Sequence, residues 1–159
     1  ILGWSIVNGQ LIPDPRKVSN VHTWPLPTTG KQLMSYLGFM NYFRNSIPLY
    51  AMLSGPLDSI RNYKTLENVW TKQHTEAFNN LKLALASAPV ISPPDFSCRL
   101  HVATYASLTG IGGIIYYIKN DIVHYVAMAS RKLSSSEQNY STTKRELLAV
   151  VYIFNKFHK

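Results

Sequence analysis

Cysteine is almost absent from this 159-residue chain: Cys98 stands alone, which excludes an internal disulfide and favours a reducing compartment. A lone cysteine also cannot complete a zinc site, and the five histidines (His22, His74, His101, His124 and His158) lack zinc-ligand spacing. No apolar run approaches the roughly 20 residues needed to cross a bilayer, so a transmembrane span is excluded. Ile1 to Val7 is too short, and lacks the basic leader, to be a secretory signal. No phosphate-binding loop, dinucleotide fingerprint or Ser/His/Asp signature is present. Acidic residues are scarce. The eight of them, Asp14, Asp58, Glu67, Glu76, Asp95, Asp121, Glu137 and Glu146, are scattered, and no local pair offers general acid/base or metal-ligand spacing.

What is present is positive charge and apolar periodicity. Sixteen Lys plus Arg against eight Asp plus Glu give a net charge of +8, an excess that suits a polyanion such as nucleic acid, or simply solubility. The basic residues occur as pairs, Arg16-Lys17, Arg131-Lys132 and Lys144-Arg145, so any basic patch must be assembled by folding. Hydrophobic residues make up 46% and charged residues 15%, the balance of a folded chain with a core. The first residue is not methionine and the last periodic segment runs into Lys159, so the chain reads as a piece of something longer.

Residues 1–13 predict a β-hairpin turning on Asn8-Gly9, a pair suited to the positive φ angles of a type I′ turn. A short helix capped by Asp14 should follow. Leu33, Tyr36, Leu37, Met40 and Phe43 recur at three- and four-residue intervals and predict a helix with one apolar face, closed by Pro48. Residues 50–61 read as a short helical turn and 61–69 as a polar linker. A second amphipathic helix, capped by Thr71 and stopped by Pro89, would bury Phe78, Leu81 and Leu85. Three strands are expected at 99–105, 110–118 and 122–129, the last two joined by a tight turn at Lys119-Asn120-Asp121. Residues 130–141 read as loop. The last helix should face inward with Leu147, Val150, Val151 and Phe154.

Four stretches in order carry a resemblance: ILGWSIVNGQLIPDPRKVSNVHTWPLP, KQLMSYLGFMNYFRNSIP, WTKQHTEAFNNLKLALASAPVISPPDF and MASRKLSSSEQNYSTTKRELLAVV. Together they resemble the reverse transcriptase to ribonuclease H junction of gypsy-type long-terminal-repeat retrotransposon polyproteins. The resemblance implies an α+β fold in two parts. Residues 1–68 would be the C-terminal end of a reverse transcriptase palm, with a hairpin like the primer grip, plus thumb helices. Residues 69–159 would be an incomplete ribonuclease H-like domain of three antiparallel strands and flanking helices, with one sheet edge left open and prone to self-association.

The same resemblance assigns roles. Leu2, Gly3 and Trp4 match the hairpin that holds a growing primer end. Glycine there lets the backbone approach a nucleotide, and Trp4 either stacks on a base or sugar or closes a hydrophobic cluster beneath the hairpin. The polymerase carboxylates of the family's YxDD turn have no counterpart in the chain, so polymerisation by it alone is not expected.

Family ribonucleases H cleave the RNA strand of an RNA/DNA hybrid with two Mg²⁺ ions held by clustered carboxylates, the first in a TDAS motif. Here that motif reads Thr104-Tyr105-Ala106-Ser107, so Tyr105 occupies the place of the first aspartate. A phenol is uncharged near neutral pH, and hard Mg²⁺ requires anionic oxygens. The second family ligand survives as Glu146, which is equally suited to a helix N-terminal acid favoured by the dipole. No competent metal site and no cofactor are therefore expected.

Lys144 follows Ser141 where the family's capping box has glutamate, which puts positive charge at the positive end of a helix. Thr142, Thr143, Lys144 and Arg145 either touch a phosphate backbone or form a solvated basic turn. The expected function is contact with an RNA/DNA hybrid or primer-template without catalysis, in an intracellular setting, with the remaining polyprotein segments as further partners. The alternative is a structural or inactive relic, and residual metal-dependent cleavage ranks last.

Overall fold

Asn8 and Gly9 both adopt positive φ, 50° and 77°, as a type I′ turn requires, and so close a two-stranded hairpin of β1 (Trp4–Val7) and β2 (Gln10–Pro13). A computed structural model describes residues 3–158 of the chain. Four helices follow the hairpin: α1 (Pro15–His22), α2 (Gly30–Tyr42), α3 (Tyr50–Ile60) and α4 (Lys72–Ala86). Then come β3 (Leu100–Ala106), β4 (Gly110–Lys119), β5 (Ile122–Lys132), the single turn α5 (Ser135–Gln138) and α6 (Thr142–Phe157).

The helix starts show why the sequence breaks where it does. Asp14 accepts a hydrogen bond from the Arg16 amide, with Pro15 at the first helical position. Thr29 and Gln32 form a reciprocal capping box on α2. At α4 a histidine takes the glutamate's part: His74 Nδ1 accepts from the Thr71 amide at 2.9 Å. Helix α3 lacks a local cap, because its N-cap is Leu49, held at φ 56°. Its open amide at Ala51 donates instead to Ser130 Oγ of β5, 79 residues away, at 3.0 Å.

Leu33, Tyr36, Leu37, Met40 and Phe43 are buried as their spacing predicts, and α4 adds Ala77, Phe78, Leu81 and Leu85 to the same core. Tyr36 stacks on Phe78 at 4.2 Å between ring centroids and donates its hydroxyl to the Phe78 carbonyl at 2.8 Å. Burial of that phenol drives its pKa far above the ordinary value.

Three stretches differ from expectation. Residues 50–60 form an 11-residue helix rather than a short turn. The polar stretch after it is tied down: Leu66 is buried and its amide donates to the Thr28 carbonyl, beside a bridge between Thr29 and Thr65. Ser130 to Lys132 extend β5 because β4 continues to pair with them, and Ser134 caps the turn α5 with Glu137, so less of 130–141 is loop than polarity suggested.

The sheet order is β3-β4-β5, antiparallel throughout, with Asn120 and Asp121 both at positive φ in the β4–β5 turn. Among the described residues β3 pairs only with β4. The connector after α4 stitches hairpin to sheet, since Ile91 bridges Leu11 on one side and Tyr125 on the other. Helix α6 lies across β3 and β4. It comes so close that a Cβ on Gly113 would sit 2.6 Å from Ile153 Cγ1, which only glycine avoids. The inward face of α6 is Arg145, Ala149 and Ile153, not the expected set: Leu147, Val151 and Phe154 are exposed and Val150 is half-buried. The helix is apolar on two sides, and small Ala149 is the side that fits against Ile111. No described helix is long and apolar enough to cross a membrane.

Candidate nucleic-acid interface

Tyr105 lies one residue from the end of β3, opposite Gly112 of β4. Its neighbour Thr104 is opposite Gly113, under Ile153 of α6, so strand alternation turns Tyr105 to the other face of the sheet. The turn beyond it is pinned by Ser107, whose hydroxyl accepts from the amides of Thr109 and Gly110 at 3.2 and 3.0 Å. Tyr105 is half exposed, and Glu146 is exposed on the second turn of α6. Neither side chain makes a hydrogen bond or ion pair with another described residue. Among the described residues no three His, Cys, Asp or Glu side chains stand together as a metal would need. A pair of hard divalent ions calls for several carboxylate oxygens, and one tyrosine with one carboxylate does not supply them. The donor set does not fit the magnesium pair that the resemblance implies.

At the hairpin, Gly3 adopts φ 91° and its carbonyl accepts from the Asp14 amide at 2.9 Å. Any larger residue there would press on Lys17 and Tyr42, both 3.2 Å from the Cβ position. Trp4 packs its ring on Phe43 at 5.4 Å and on Tyr42 at 6.4 Å, at the margin of the helical core. Leu2 lies outside the described residues. At the start of α6, Ser141 Oγ accepts from the Lys144 amide, and among the described residues no side chain returns the bond to the Ser141 amide. Thr142, Thr143 and Lys144 face solvent. Arg145 does not: it is buried, its guanidinium donating to the Gln138 carbonyl at 3.3 Å and to Thr142 Oγ1 at 3.4 Å.

Folding assembles a basic cleft that no local run of sequence displays. Arg44 and Arg61 come from the ends of α2 and α3, Arg131 and Lys132 from the end of β5, and together they line a cavity of about 580 Å³ with Asp58 as its one carboxylate. Each cation is held in place. Arg44 donates to the Ser130 carbonyl at 2.8 Å and stacks over Tyr50 at 5.6 Å. Burial, and next the Asp58 charge, push the Tyr50 phenol up to about 12. Asp58 accepts from Arg61 at 3.3 Å, pairs with Lys132 at 3.0 Å, and takes the Ser54 hydroxyl at 3.1 Å. Arg131 donates two parallel bonds to Glu137, both 2.8 Å. Those bonds hold the Glu137 carboxyl down at about 2. Of these four cations only the Arg131-Lys132 pair stands out in the sequence. Arg44 is isolated there, and the only local sign of Arg61 is its three-residue spacing from Asp58.

A family model described as "RNase H-like domain found in reverse transcriptase" matches residues 70–159. The chain is 31% identical over 156 residues to the retrovirus-related Pol polyprotein from transposon 297 of Drosophila melanogaster, covering 98% of this chain and 14% of that protein. It is 32% identical over 151 residues to the transposon Tf2-3 polyprotein of Schizosaccharomyces pombe, covering 94% and 11%. It therefore spans only a small part of the length of these relatives. Among solved structures, it superimposes on a foamy viral protease-reverse transcriptase in complex with dsDNA, with a TM-score of 0.77 and 24% identity over 98% of this chain and 33% of that one. The same type of protein in complex with an RNA/DNA hybrid gives 0.70 and 22%, over 97% and 22%. At these identities the superpositions show a shared fold.

Proposed function

The chain belongs to the RNase H-like domain family found in reverse transcriptases, and from that premise we propose that it holds a nucleic-acid duplex, an RNA/DNA hybrid or primer-template, without cutting it. The observation that carries this reading is the cleft where Arg44, Arg61, Arg131 and Lys132 converge from both halves of the molecule around one carboxylate. Cations fixed by hydrogen bonds to the fold meet phosphates at little further cost in side-chain entropy, and they position a backbone without reading its bases. The net charge of +8 acts in the same direction. The related foamy viral structures were solved with dsDNA and with RNA/DNA hybrid. Exposed Thr142, Thr143 and Lys144 add a second set of hydroxyl and cationic contacts.

The donor set supports a reading without cleavage, since Tyr105 stands where the family has a carboxylate and Glu146 is the one family ligand kept. Such a partner also implies an intracellular setting. A second reading, a segment that serves only to pack against other parts of a polyprotein, is favoured by the exposed apolar residues of α6, Leu147, Val151 and Phe154.

A fluorescent hybrid duplex titrated with the chain separates these readings. The first expects binding at about 50 mM salt that weakens steeply by about 200 mM. It also expects loss of affinity when Arg44 and Arg61 are replaced by Gln. No binding at low salt, or binding indifferent to salt, rejects it in favour of the second. Incubation of the same duplex with Mg²⁺ or Mn²⁺ should leave the RNA strand intact. Cleavage that disappears in Glu146→Gln would refute the non-cutting part alone.

A further inference from the structure

The four cations of the basic cleft are not equally free to meet a ligand. Arg131 is committed to Glu137 through two short parallel bonds, while Arg61 and Lys132 share Asp58, at 3.3 and 3.0 Å. Arg44 forms no ion pair with a described residue, and its guanidinium donates to the Ser130 carbonyl and to Asn41 Oδ1. Asp58 thus ties the two halves of the molecule together, since Arg61 follows α3 and Lys132 ends β5. The Ser54 hydroxyl steadies the carboxylate by donating to the same oxygen that faces Lys132. All three partners remain open to water: the side chains of Arg61 and Lys132 are 51% and 45% exposed, and that of Asp58 is 21% exposed. Ion pairs so exposed are weakly held. A phosphate carries more charge than a carboxylate and more acceptor oxygens, so it competes well for the same two cations.

From this arrangement we infer that the Asp58 carboxylate stands in the place of a phosphate and acts as a latch on the cleft. An incoming phosphate group displaces it, takes over Arg61 and Lys132, and sits in the cavity that Arg44 also lines. The latch deepens the duplex reading given above and rests on it for the source of that phosphate. With Asp58 in place the cleft presents one cation without a carboxylate partner, Arg44; once Asp58 withdraws it presents three. The same contacts relieve the mutual repulsion of Arg61 and Lys132 in the unliganded chain, so one residue both stabilises the joint and holds down the affinity for anions. Arg131 takes no part in the exchange, because Glu137 keeps both of its bonds.

The test titrates the full chain, at about 50 mM salt, with inorganic pyrophosphate followed by ¹H–¹⁵N NMR, and then with the fluorescent hybrid duplex. Asp58→Asn keeps the shape of the side chain and removes its charge, and it should bind pyrophosphate about three- to tenfold more tightly than the parent. Asp58→Ser should reproduce that gain, and Asp58→Glu should bind as the parent does. Two controls separate the latch from bulk charge. Glu76→Gln removes a carboxylate outside the cleft and should bring no gain. Asp58→Asn should bring none in a chain that already carries Arg61→Gln and Lys132→Gln, since it then has no cation to release. Unchanged or weaker pyrophosphate binding in both neutral Asp58 variants overturns the latch, and so does an equal gain from Glu76→Gln. Duplex affinity that rises in the same order, with a salt slope steeper by about 1 to 2, assigns the phosphate to the duplex. If duplex binding is absent or indifferent to Asp58 while pyrophosphate responds, the latch stands and the duplex reading of the cleft falls.

Discussion

Under α1 to α4 the described residues form one cluster of fifteen buried apolar side chains, whereas the corresponding cluster under the sheet has three, Ile111, Leu133 and Ala149. The first half is cemented by aromatics, with Trp4, Trp24, Tyr36, Phe39, Phe43 and Phe78 in mutual ring contact. The second is held by its hydrogen-bonded ladder and by directed polar contacts, Arg131 with Glu137 and Lys119 with Asp95, the latter at 2.7 Å. Apolar burial is non-directional and scales with area, while ladders and ion pairs depend on geometry and on pH. The helical half should therefore be the stable platform, and the sheet half the part whose order depends on its attachments.

Removing a keystone from the platform should have the largest effect. Phe78→Ala takes away the ring that stacks on Tyr36 and leaves a cavity among fully buried neighbours. A loss of about 3 to 5 kcal/mol is expected in urea unfolding followed by far-ultraviolet circular dichroism. A loss below about 1 kcal/mol would mean that the two halves share stability evenly and that the contrast is false.

The platform is also the half that was easiest to read in the sequence. Leu33, Tyr36, Leu37, Met40 and Phe43 lie on one stripe with polar residues opposite, so periodicity alone chose the buried face. Asn8-Gly9 named its turn type because few other pairs accept two positive φ angles. Helix α6 was legible as a helix but not in orientation. Leu147, Val150, Val151 and Phe154 follow the same spacing as Arg145, Leu148, Ala149, Tyr152 and Ile153, and only the glycine-rich strand facing it decides between them. The substitution at Tyr105 was visible because a motif frames it. The basic cleft was not, since Arg44 meets the Ser130 carbonyl across 86 residues, a contact that no local pattern encodes.

The joint between the halves ranks second. Ser130 Oγ is the acceptor for the Ala51 amide at the uncapped start of α3. Ser130→Ala leaves that buried amide unpaired, at a cost of about 1 to 3 kcal/mol. Faster hydrogen exchange should appear in β4 and β5 and at the first turn of α3, with α2 and α4 unchanged. If exchange quickens equally everywhere, the molecule unfolds as one body and the platform is no platform.

Acid should loosen the sheet half selectively. The Glu137 carboxyl ordinarily titrates at 4.5 and is held near 2 by Arg131 and the Ser134 amide. A depressed carboxylate contributes stability that is fully present above its unfolded pKa and lost as pH falls toward its folded one, here between about 4.5 and about 2. Thermal midpoints across that interval should therefore fall less in Glu137→Gln than in the parent. Parallel slopes in the two proteins would remove Glu137 from the account.

The smallest effect is expected where sequence periodicity pointed most wrongly. Leu147 leads the stripe expected to face inward, yet it is 63% exposed, with Val151 and Phe154 on the same side of α6. Leu147→Ser should change stability by no more than about 0.5 kcal/mol, because the side chain loses little burial. The same replacement at Ile153, which is buried against Gly113, removes one of the few apolar contacts between helix and sheet. Urea midpoints of the two variants in one buffer decide the orientation of α6 directly. A large loss at Leu147 with little at Ile153 would turn the helix by half a revolution, give the sheet half a larger apolar cluster than Ile111, Leu133 and Ala149 form, and erase the difference from the helical half.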